Sequence, residues 1–365
     1  HTVISVLLLG KGVVGGSLIK QIDQQNKALD REHDVQVRLV GIGSSGGVLF
    51  DSMGLSTDKA VELQKTALEE GRVEKDVISL LDELSRQPNP VLVDCSAAPG
   101  MDRLYRAAFS HSVNVVSANK QPLALPQGER DELLNQARKH FRAYHSETTV
   151  GAALPVIETL KNLVRTGDHV ITIEGAFSGT LGYLCDQLAQ GKTLSAAVRT
   201  ARELGYTEPH PRDDLSGLDV ARKAVILARE LGLRLDLTDV ELRPFVPEQF
   251  LKEDDPEKFM QSLTKLDAEV AQRVASSKAQ GKLPRYLARI TPGAAGAKVT
   301  VGPVDVESSH PAAALRGAEA FVAFHTDRYR EYPMVVRGAG AGGAVTAAGV
   351  LADILRLAQN IRGRR

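Results

Sequence analysis

Residues Val3 to Gly15 read VISVLLLGKGVVG, an apolar run rich in β-branched side chains that breaks into Gly10, Lys11, Gly12, Val13, Val14 and Gly15. Val3 to Leu9 predicts a strand, and the periodicity that follows predicts a helix to about Gln25. Strand, glycine turn and helix in that order are what a dinucleotide pyrophosphate needs. The glycines allow a tight turn and close backbone approach, and the helix start offers N–H groups and the positive end of its dipole. A tight turn in a sheet protein without a ligand has the same local pattern. The alternation of strands and helices behind it favours the dinucleotide, with Gly10, Gly12, Val13, Val14 and Gly15 against the phosphates.

The second strand, Gln36 to Ile42, runs into Gly43, Ser44 and Ser45 without the carboxylate that holds ribose hydroxyls in NAD-specific sites. A 2′-phosphate is therefore not repelled at Ser45, and Lys11 or Arg38 would favour it. NADP is expected to be accepted, with NAD not excluded. Ser56 to Arg86 reads as mostly polar helix. Val91 to Asp94 is the next strand and opens into Cys95, Ser96, Ala97 and Ala98; a helix from about Met101 to Ser110 follows. Val113 to Val116 then leads into Ser117, Ala118, Asn119 and Lys120, and Phe141 to Tyr144 reads as the last strand. Ligands bind beyond the carboxyl ends of strands in open parallel sheets, so both small-residue loops are expected to face the crevice. Lys120 reads equally well as a surface charge flanking a helix.

Gly205 to Lys223 reads GYTEPHPRDDLSGLDVARK and gathers Glu208, Asp214, Asp219 and Lys223 into one loop and the start of a helix. Pro209 and Pro211 stiffen the loop. Ser216 is predicted as an N-cap with Asp219 completing a capping box, and Lys223 lies four residues beyond Asp219 on the same face. An ordinary cap and a surface ion pair account for these residues by themselves. Against that, Ala221, Ala224, Val225, Ala228 and Leu231 form one apolar stripe while Val220 and Ile226 add apolar surface elsewhere. A helix of that kind is packed, and a partly buried lysine held by carboxylates is a candidate proton donor or substrate anchor.

The segment YTEPHPRDDLSGLDVARK closely resembles the signature of the homoserine dehydrogenase family, with His210 standing where an aspartate is common. The resemblance runs from Gly10 to the C-terminus, nearly the whole chain. It implies Lys223 as proton donor, Asp219 beside it, and Glu208, Asp214, Asp219 and Tyr206 around an amino-acid substrate. It also implies that GAFSGT, with Gly179 and Thr180, borders the substrate. Ser96 and Ala97 would lie by the nicotinamide, with Lys120 reaching cofactor and substrate. The GAGAGG run at 338–343, whose residue-level reading is either a second anion-binding backbone or a linker, would border the cofactor through Gly340. The turn ETTVGAAL would hold a monovalent cation, sodium, through Glu147, Val150, Ala152 and Leu154, with Ala153 replacing a frequent glycine.

A length of 365 residues suggests two domains, and 45 basic against 45 acidic residues leave no net field for nucleic acid or anionic membrane. A small-molecule substrate is expected. Cys95 and Cys185 are far apart and lack metal spacing, which suggests a reduced, cytoplasmic protein. No apolar run approaches the roughly 20 residues that span a bilayer, and a start at His1 suggests a trimmed or excised piece. Beyond Val170 to Glu174, further strands are predicted over Leu237 to Val246, Arg285 to Ile290, Lys298 to Val301 and Ala320 to Phe324. Helices are expected from near Pro155, over Leu181 to Gln190, Thr193 to Leu204 and Pro256 to Lys278, and from Val345 to Gln359.

The expected fold is α/β: an N-terminal Rossmann dinucleotide-binding domain over 1–145, completed by 338–365. A second, α+β substrate and dimerisation domain on a mixed sheet spans 146–337. The expected activity is NAD(P)-dependent interconversion of L-homoserine and L-aspartate 4-semialdehyde, in threonine, methionine and isoleucine biosynthesis, by a homodimer. Alternatives are another two-domain dehydrogenase, such as one that acylates a cysteine, or a non-catalytic dinucleotide sensor.

Overall fold

A computed structural model describes residues 1–362, and in it the chain forms two compact units. The first takes His1–Ala153 together with the C-terminal helix, and the second takes Leu154–Ala341. The chain thus changes unit at 153/154 and 341/342, against the expected 145/146 and 337/338. The second offset has a plain cause, since residues 334–339 are a strand of the second unit's sheet.

The first unit runs β1 Thr2–Leu9, α1 Val13–His33, β2 Val35–Ser44, β3 Gly47–Phe50, α2 Ala60–Glu69, α3 Val77–Ser85, β4 Pro90–Asp94, α4 Met101–Ser110, β5 Asn114–Ser117, α5 Gln127–Lys139 and β6 Tyr144–His145. Its sheet has the order β3-β2-β1-β4-β5-β6, parallel except for the β2–β3 hairpin. The strand order reverses direction between β1 and β4, the place where doubly wound sheets open a crevice. Strands Val6, Leu8, Val37, Leu39, Val91 and Val93 present one face to α1 and to the C-terminal helix Gly343–Arg362. Leu7, Val40, Leu92 and Val115 present the other to α3, α4 and α5. Burial on both faces explains why these strands read as apolar runs without alternation.

The expected polar helix over 56–86 is two short helices, and β3 was not foreseen. Helix α1 continues two turns past Gln25 and ends at Asp34 with φ 50°, where the cap N–H returns to Asp30 and Leu29.

The second unit runs α6 Ile157–Arg165, β7 Val170–Ala176, α7 Gly179–Ala189, α8 Leu194–Glu203, α9 Arg212–Leu215, α10 Leu218–Glu230, β8 Glu241–Leu242, α11 Pro256–Ser262, α12 Asp267–Ala279, β9 Lys282–Thr291, β10 Lys298–Glu307, β11 Glu319–Thr326 and β12 Met334–Ala339. Its mixed sheet has the order β12-β11-β7-β9-β10-β8, antiparallel except for the β8–β10 pair. Helices α7, α10 and α12 pack on it. Side chains alternate across the strands: Ile173, Ile290 and Val299 are buried on one face, while Glu174, Arg289 and Thr300 share the other.

Leu237 to Val246 is not the strand its apolar residues predicted. Asp236 and Asp239 close a reciprocal capping box around a short 3₁₀ turn, Leu237–Asp239, and only Glu241–Leu242 pairs. The long helix expected over 256–278 breaks into α11, a 3₁₀ turn and α12.

Candidate active site

In the first unit, α1 opens at Gly12 without a side-chain cap, so the N–H groups of its first turn face outward as an anion site. A Cβ at Gly15 would lie 1.8 Å from the Gly10 carbonyl oxygen, so only glycine lets α1 start this close to the turn. Val13 stands 78% exposed beside that opening. The C-terminal helix begins next to it: a Cβ on Gly343 would meet Val13 Cγ1 at 2.3 Å. Gln21 reaches across to the Ala344 carbonyl at 2.8 Å. Two helix starts therefore converge on one spot, and the arrangement fits a dinucleotide pyrophosphate. Gly340 itself lies just after β12, in the second unit, where a Cβ would meet Ala320 Cβ at 2.1 Å; sheet packing alone already requires glycine there.

At the end of β2, Ser44 and the exposed Ser45 form the tip of the β2–β3 hairpin. Buried Gln64 spans this corner, donating to Ser44 Oγ at 3.2 Å and to the Gly47 carbonyl at 3.0 Å, and accepting from Lys11 Nζ. The tip residues themselves, Ser45 and Gly46, carry no carboxylate, and Lys11 is held to Gln64 at the same corner. Arg38 is a different matter. It pairs with Ser5, six residues before Ser44, and at about 3.3 Å per residue it sits roughly 20 Å from the strand end. That removes Arg38 from the 2′-phosphate candidates. Ser96 follows β4 and is fixed by two bonds to Asp94, from its N–H at 2.8 Å and its hydroxyl at 2.6 Å; Ala97 is exposed beyond it. Lys120 follows β5 and caps the turn Gln121–Ala124, whose Leu123 and Ala124 N–H groups both donate to its carbonyl.

In the second unit, Lys223 is the centre of the polar group. Its Nζ lies 2.8 Å from Asp219 Oδ2, one turn back on α10, and donates to the Phe177 carbonyl at 2.7 Å. The lysine side chain is 12% exposed against 43% for the aspartate, so the ammonium is the more enclosed partner. Phe177 lies in the middle of GAFSGT, directly after β7, and the next residue, Ser178, caps α7 through the Leu181 N–H at 3.1 Å. Thr180 in the same turn donates to the Tyr206 carbonyl at 2.6 Å. Asp214 accepts the Glu208 N–H at 2.8 Å. Burial, with Glu208 adding repulsion, pushes the Asp214 carboxyl up to about 6. Gly179 and Thr180 open α7, Tyr206 and Glu208 lie in the loop before α9, Asp214 lies on α9, and Asp219 and Lys223 lie on α10. Tyr206 keeps 46% of its surface open, edge-on to Tyr183 at 5.2 Å.

The capping box predicted for Ser216 and Asp219 does not form. Gly217, in the left-handed region at φ 74°, precedes α10, and Ser216 ends α9 with its hydroxyl donating to the Asp213 carbonyl. A Cβ at position 217 would also strike the Tyr286 hydroxyl at 1.9 Å, so glycine is required twice over. Asp219 pairs with Lys223 one turn on along α10. Asp214 belongs to a helix, α9, rather than to the loop expected there.

No residue-type signal points to the Phe177 carbonyl as an anchor for Lys223, because any residue type offers a carbonyl. Both cysteines are free, and burial pushes each thiol up to about 12, with Asp94 adding to the effect at Cys95. Neither supplies a thiolate near neutral pH.

Of the residues expected to bind a cation, Glu147, Val150 and Ala152 lie in the first unit and Leu154 opens the second. Glu147 is buried, its N–H held by Asp353 at 3.1 Å, and Gly151 and Ala152 take positive φ, 79° and 50°. One carboxylate with main-chain carbonyls is an all-oxygen donor set, which suits a hard cation. Among the described residues no three or more His, Cys, Asp or Glu side chains gather as a metal cluster. Nor is any helix long and apolar enough to cross a membrane.

Comparison with known proteins agrees with this geometry. Residues 155–355 match the homoserine dehydrogenase family, and residues 10–147 match the NAD binding domain of homoserine dehydrogenase. The bifunctional aspartokinase/homoserine dehydrogenase of Haemophilus influenzae is 41% identical over 98% of this chain. The chain spans 43% of that protein and 39% of its maize counterpart. The homoserine dehydrogenase of Schizosaccharomyces pombe is 33% identical over 99% of this chain and 97% of its own. A hyperthermophilic archaeal homoserine dehydrogenase solved with NADPH shares the fold, with a TM-score of 0.74 at 24% identity over 98% of both chains. An NAD-binding α/β unit joined to the lysine and carboxylate helices of the second unit, with family matches along nearly the whole sequence, places this chain in the homoserine dehydrogenase family.

Proposed function

We propose that the chain interconverts L-homoserine and L-aspartate 4-semialdehyde with NAD(P), in the formation of threonine, methionine and isoleucine. The observation that carries this is the Lys223 ammonium, enclosed between Asp219 and the carbonyl of Phe177, whose turn runs on to Thr180 and through it holds the Tyr206 carbonyl of the segment that carries Glu208 and Asp214. When bound, the dinucleotide supplies or accepts the hydride at its nicotinamide ring; Gly10, Gly12, Val13, Val14, Gly15 and Gly340 are assigned to hold it, with Ser45 at the ribose and Ser96 and Ala97 near the nicotinamide. Lys223 gives its proton to the developing alkoxide in the reducing direction and recovers it in the other. Asp219 orients the amine and stabilises its charged form. Lys120 serves as a second ammonium for the substrate. Asp214 and Glu208 hold the substrate ammonium, and Gly179, Thr180 and Tyr206 shape the turn around it.

NADP is the favoured cofactor, supported by Lys11 and the absence of a carboxylate at Ser45, with NAD also accepted. Sodium at Glu147, Val150, Ala152 and Leu154, a homodimer formed through the second unit's sheet, and a cytoplasmic location complete the reading. The cysteine-acylating alternative is disfavoured by the two raised thiols. Reduction of NADP followed by absorbance with L-homoserine, with L-threonine and with no substrate tests the proposal. Turnover with homoserine alone supports it, and binding of NADP without turnover of any substrate overturns it in favour of a sensor.

A further inference from the structure

Four side chains that no site motif singled out form one buried knot in the first unit. Asp94 is the last residue of β4, Ser117 the last of β5, Tyr105 lies on α4, and Asn119 precedes Lys120. Asp94, Tyr105 and Ser117 are 0% exposed and Asn119 is 2% exposed. The Asp94 carboxylate accepts from the Ser96 N–H and hydroxyl on one oxygen. On the other it accepts from the Tyr105 hydroxyl and, at 3.1 Å, from the Asn119 amide.

Donor accounting fixes the directions. Tyr105 gives its proton to Asp94, so at 2.7 Å it accepts from Ser117, whose lone pair takes the Asn119 N–H at 2.9 Å. Asn119 in turn donates to the Ala98 carbonyl at 2.8 Å and accepts the Gln121 N–H at 3.0 Å. Every donor on Asp94 therefore comes from the loop after β4, the loop after β5, or the helix between them. A buried carboxylate is a poor way to gain stability when an apolar side chain would fill the same space. What the carboxylate adds is a fixed spacing between the backbone of Ser96 and that of Lys120.

We propose that Asp94 is a positioning residue for the reaction: it clamps the two crevice loops together, and the Ser117–Tyr105 relay holds its charge in place. The proposal rests on the homoserine dehydrogenase reading and on the assignment of Ser96 and Lys120 within it.

The test uses the full chain, with Tyr105→Phe and Asp94→Asn. Tyr105→Phe removes one hydroxyl from a filled site and keeps the ring against Tyr144, with ring centres 5.5 Å apart. Asp94→Asn is harsher, because its NH₂ meets two donors whichever way the amide turns. Displacing groups that position reactants by a fraction of an ångström to one ångström costs up to about 100-fold in rate. Tyr105→Phe is expected to lower kcat by about 3–10-fold and Asp94→Asn by about 100-fold, each with a KM for homoserine within about threefold of the parent. A second readout needs no turnover: amide hydrogen exchange of cofactor-free Tyr105→Phe should accelerate in 95–98 and 118–124 and stay unchanged in β1, β2 and α1. Wild-type kcat in Tyr105→Phe, or exchange that accelerates evenly over the whole unit, overturns the clamp. Should Asp94→Asn fail to fold, Tyr105→Phe still decides. A parent chain that does not turn over homoserine at all removes the underlying reading, and the exchange pattern then reports on the loops independently.

Discussion

Asp214 gives a pH dependence that can be worked from the structure. Burial raises its carboxyl from 3.8 to about 6, so near neutrality it has only just ionised in the free protein. If it holds the substrate ammonium, only the ionised form binds, and the apparent KM for homoserine scales as one plus the ratio of protonated to ionised carboxyl. With a pKa of about 6, that factor is about 11 at pH 5, about 2 at pH 6 and near 1 at pH 8. Homoserine KM is therefore expected to fall by about tenfold between pH 5 and pH 8, while KM for NADP shows no matching step.

The same group leaves a mark on stability, with a sign opposite to that of most carboxylates. Between pH 4 and pH 6 the native protein keeps a proton that the unfolded chain has lost, so stability falls as pH rises through that window. A shift from 3.8 to about 6 would amount to about 3 kcal/mol at 1.36 kcal/mol per unit. The remaining solvent contact of Asp214 screens this to about 1–2 kcal/mol. Asp214→Asn serves as the control for both effects. It should show a high, pH-independent homoserine KM, and its Tm relative to the parent should improve between pH 4 and pH 6. A parent KM flat from pH 5 to pH 8, or an identical slope in Asp214→Asn, would refute the assignment of Asp214 to the substrate ammonium.

Three further outcomes follow from the same geometry. Lys223→Ala should lower turnover by about 100-fold or more while leaving NADP affinity, read by fluorescence titration, unchanged; near-normal turnover would remove Lys223 as proton donor. Glu208→Gln should raise the homoserine KM with Tm almost unmoved, because Glu208 is exposed and its N–H, not its carboxylate, holds the turn to Asp214; a lowered Tm with normal kinetics would make it a structural residue. Ser45→Asp at the hairpin tip should weaken NADP more than NAD in paired titrations, since a carboxylate would face the 2′-phosphate, and equal effects would place the ribose elsewhere.

Much of the first unit was legible because its signals are local. A strand buried on both faces, a glycine turn and a helix start follow one another within Val3 to Gly15, and each is set by residue type. The losses came where pairing is non-local or where a turn outweighs composition. β12, residues 334–339, adjoins the glycine run, and its pairing with β11 decided what its composition did not. Leu237 to Val246 has the residues of a strand, but Asp236 and Asp239 close a capping box around its first residues and Pro244 removes a donor within it. Gly217 moved a helix start by one residue because only glycine fits beneath Tyr286, a contact across 69 positions that no local pattern reports.

The site divides along the same line. Asp219 and Lys223 were readable as a pair because spacing of four on a helix fixes their meeting, and the structure brings them to 2.8 Å. What turns that pair from a surface decoration into a held ammonium is the Phe177 carbonyl, 46 residues away and invisible as a side chain. Lys223 has its charge matched by Asp219 and one further N–H fixed by Phe177, so its amine is directed rather than free to rotate. An exposed pair at this spacing contributes only about 0.3–0.5 kcal/mol to stability, too little to keep an enclosed ammonium in one place. The carbonyl contact is what distinguishes the two cases, and it comes from the turn that carries Gly179 and Thr180. The turn assigned to the substrate and the group assigned to move its proton are therefore one mechanical unit. A substitution that shifts the GAFSGT backbone should for that reason disturb kcat as well as KM, even where it touches no titratable group.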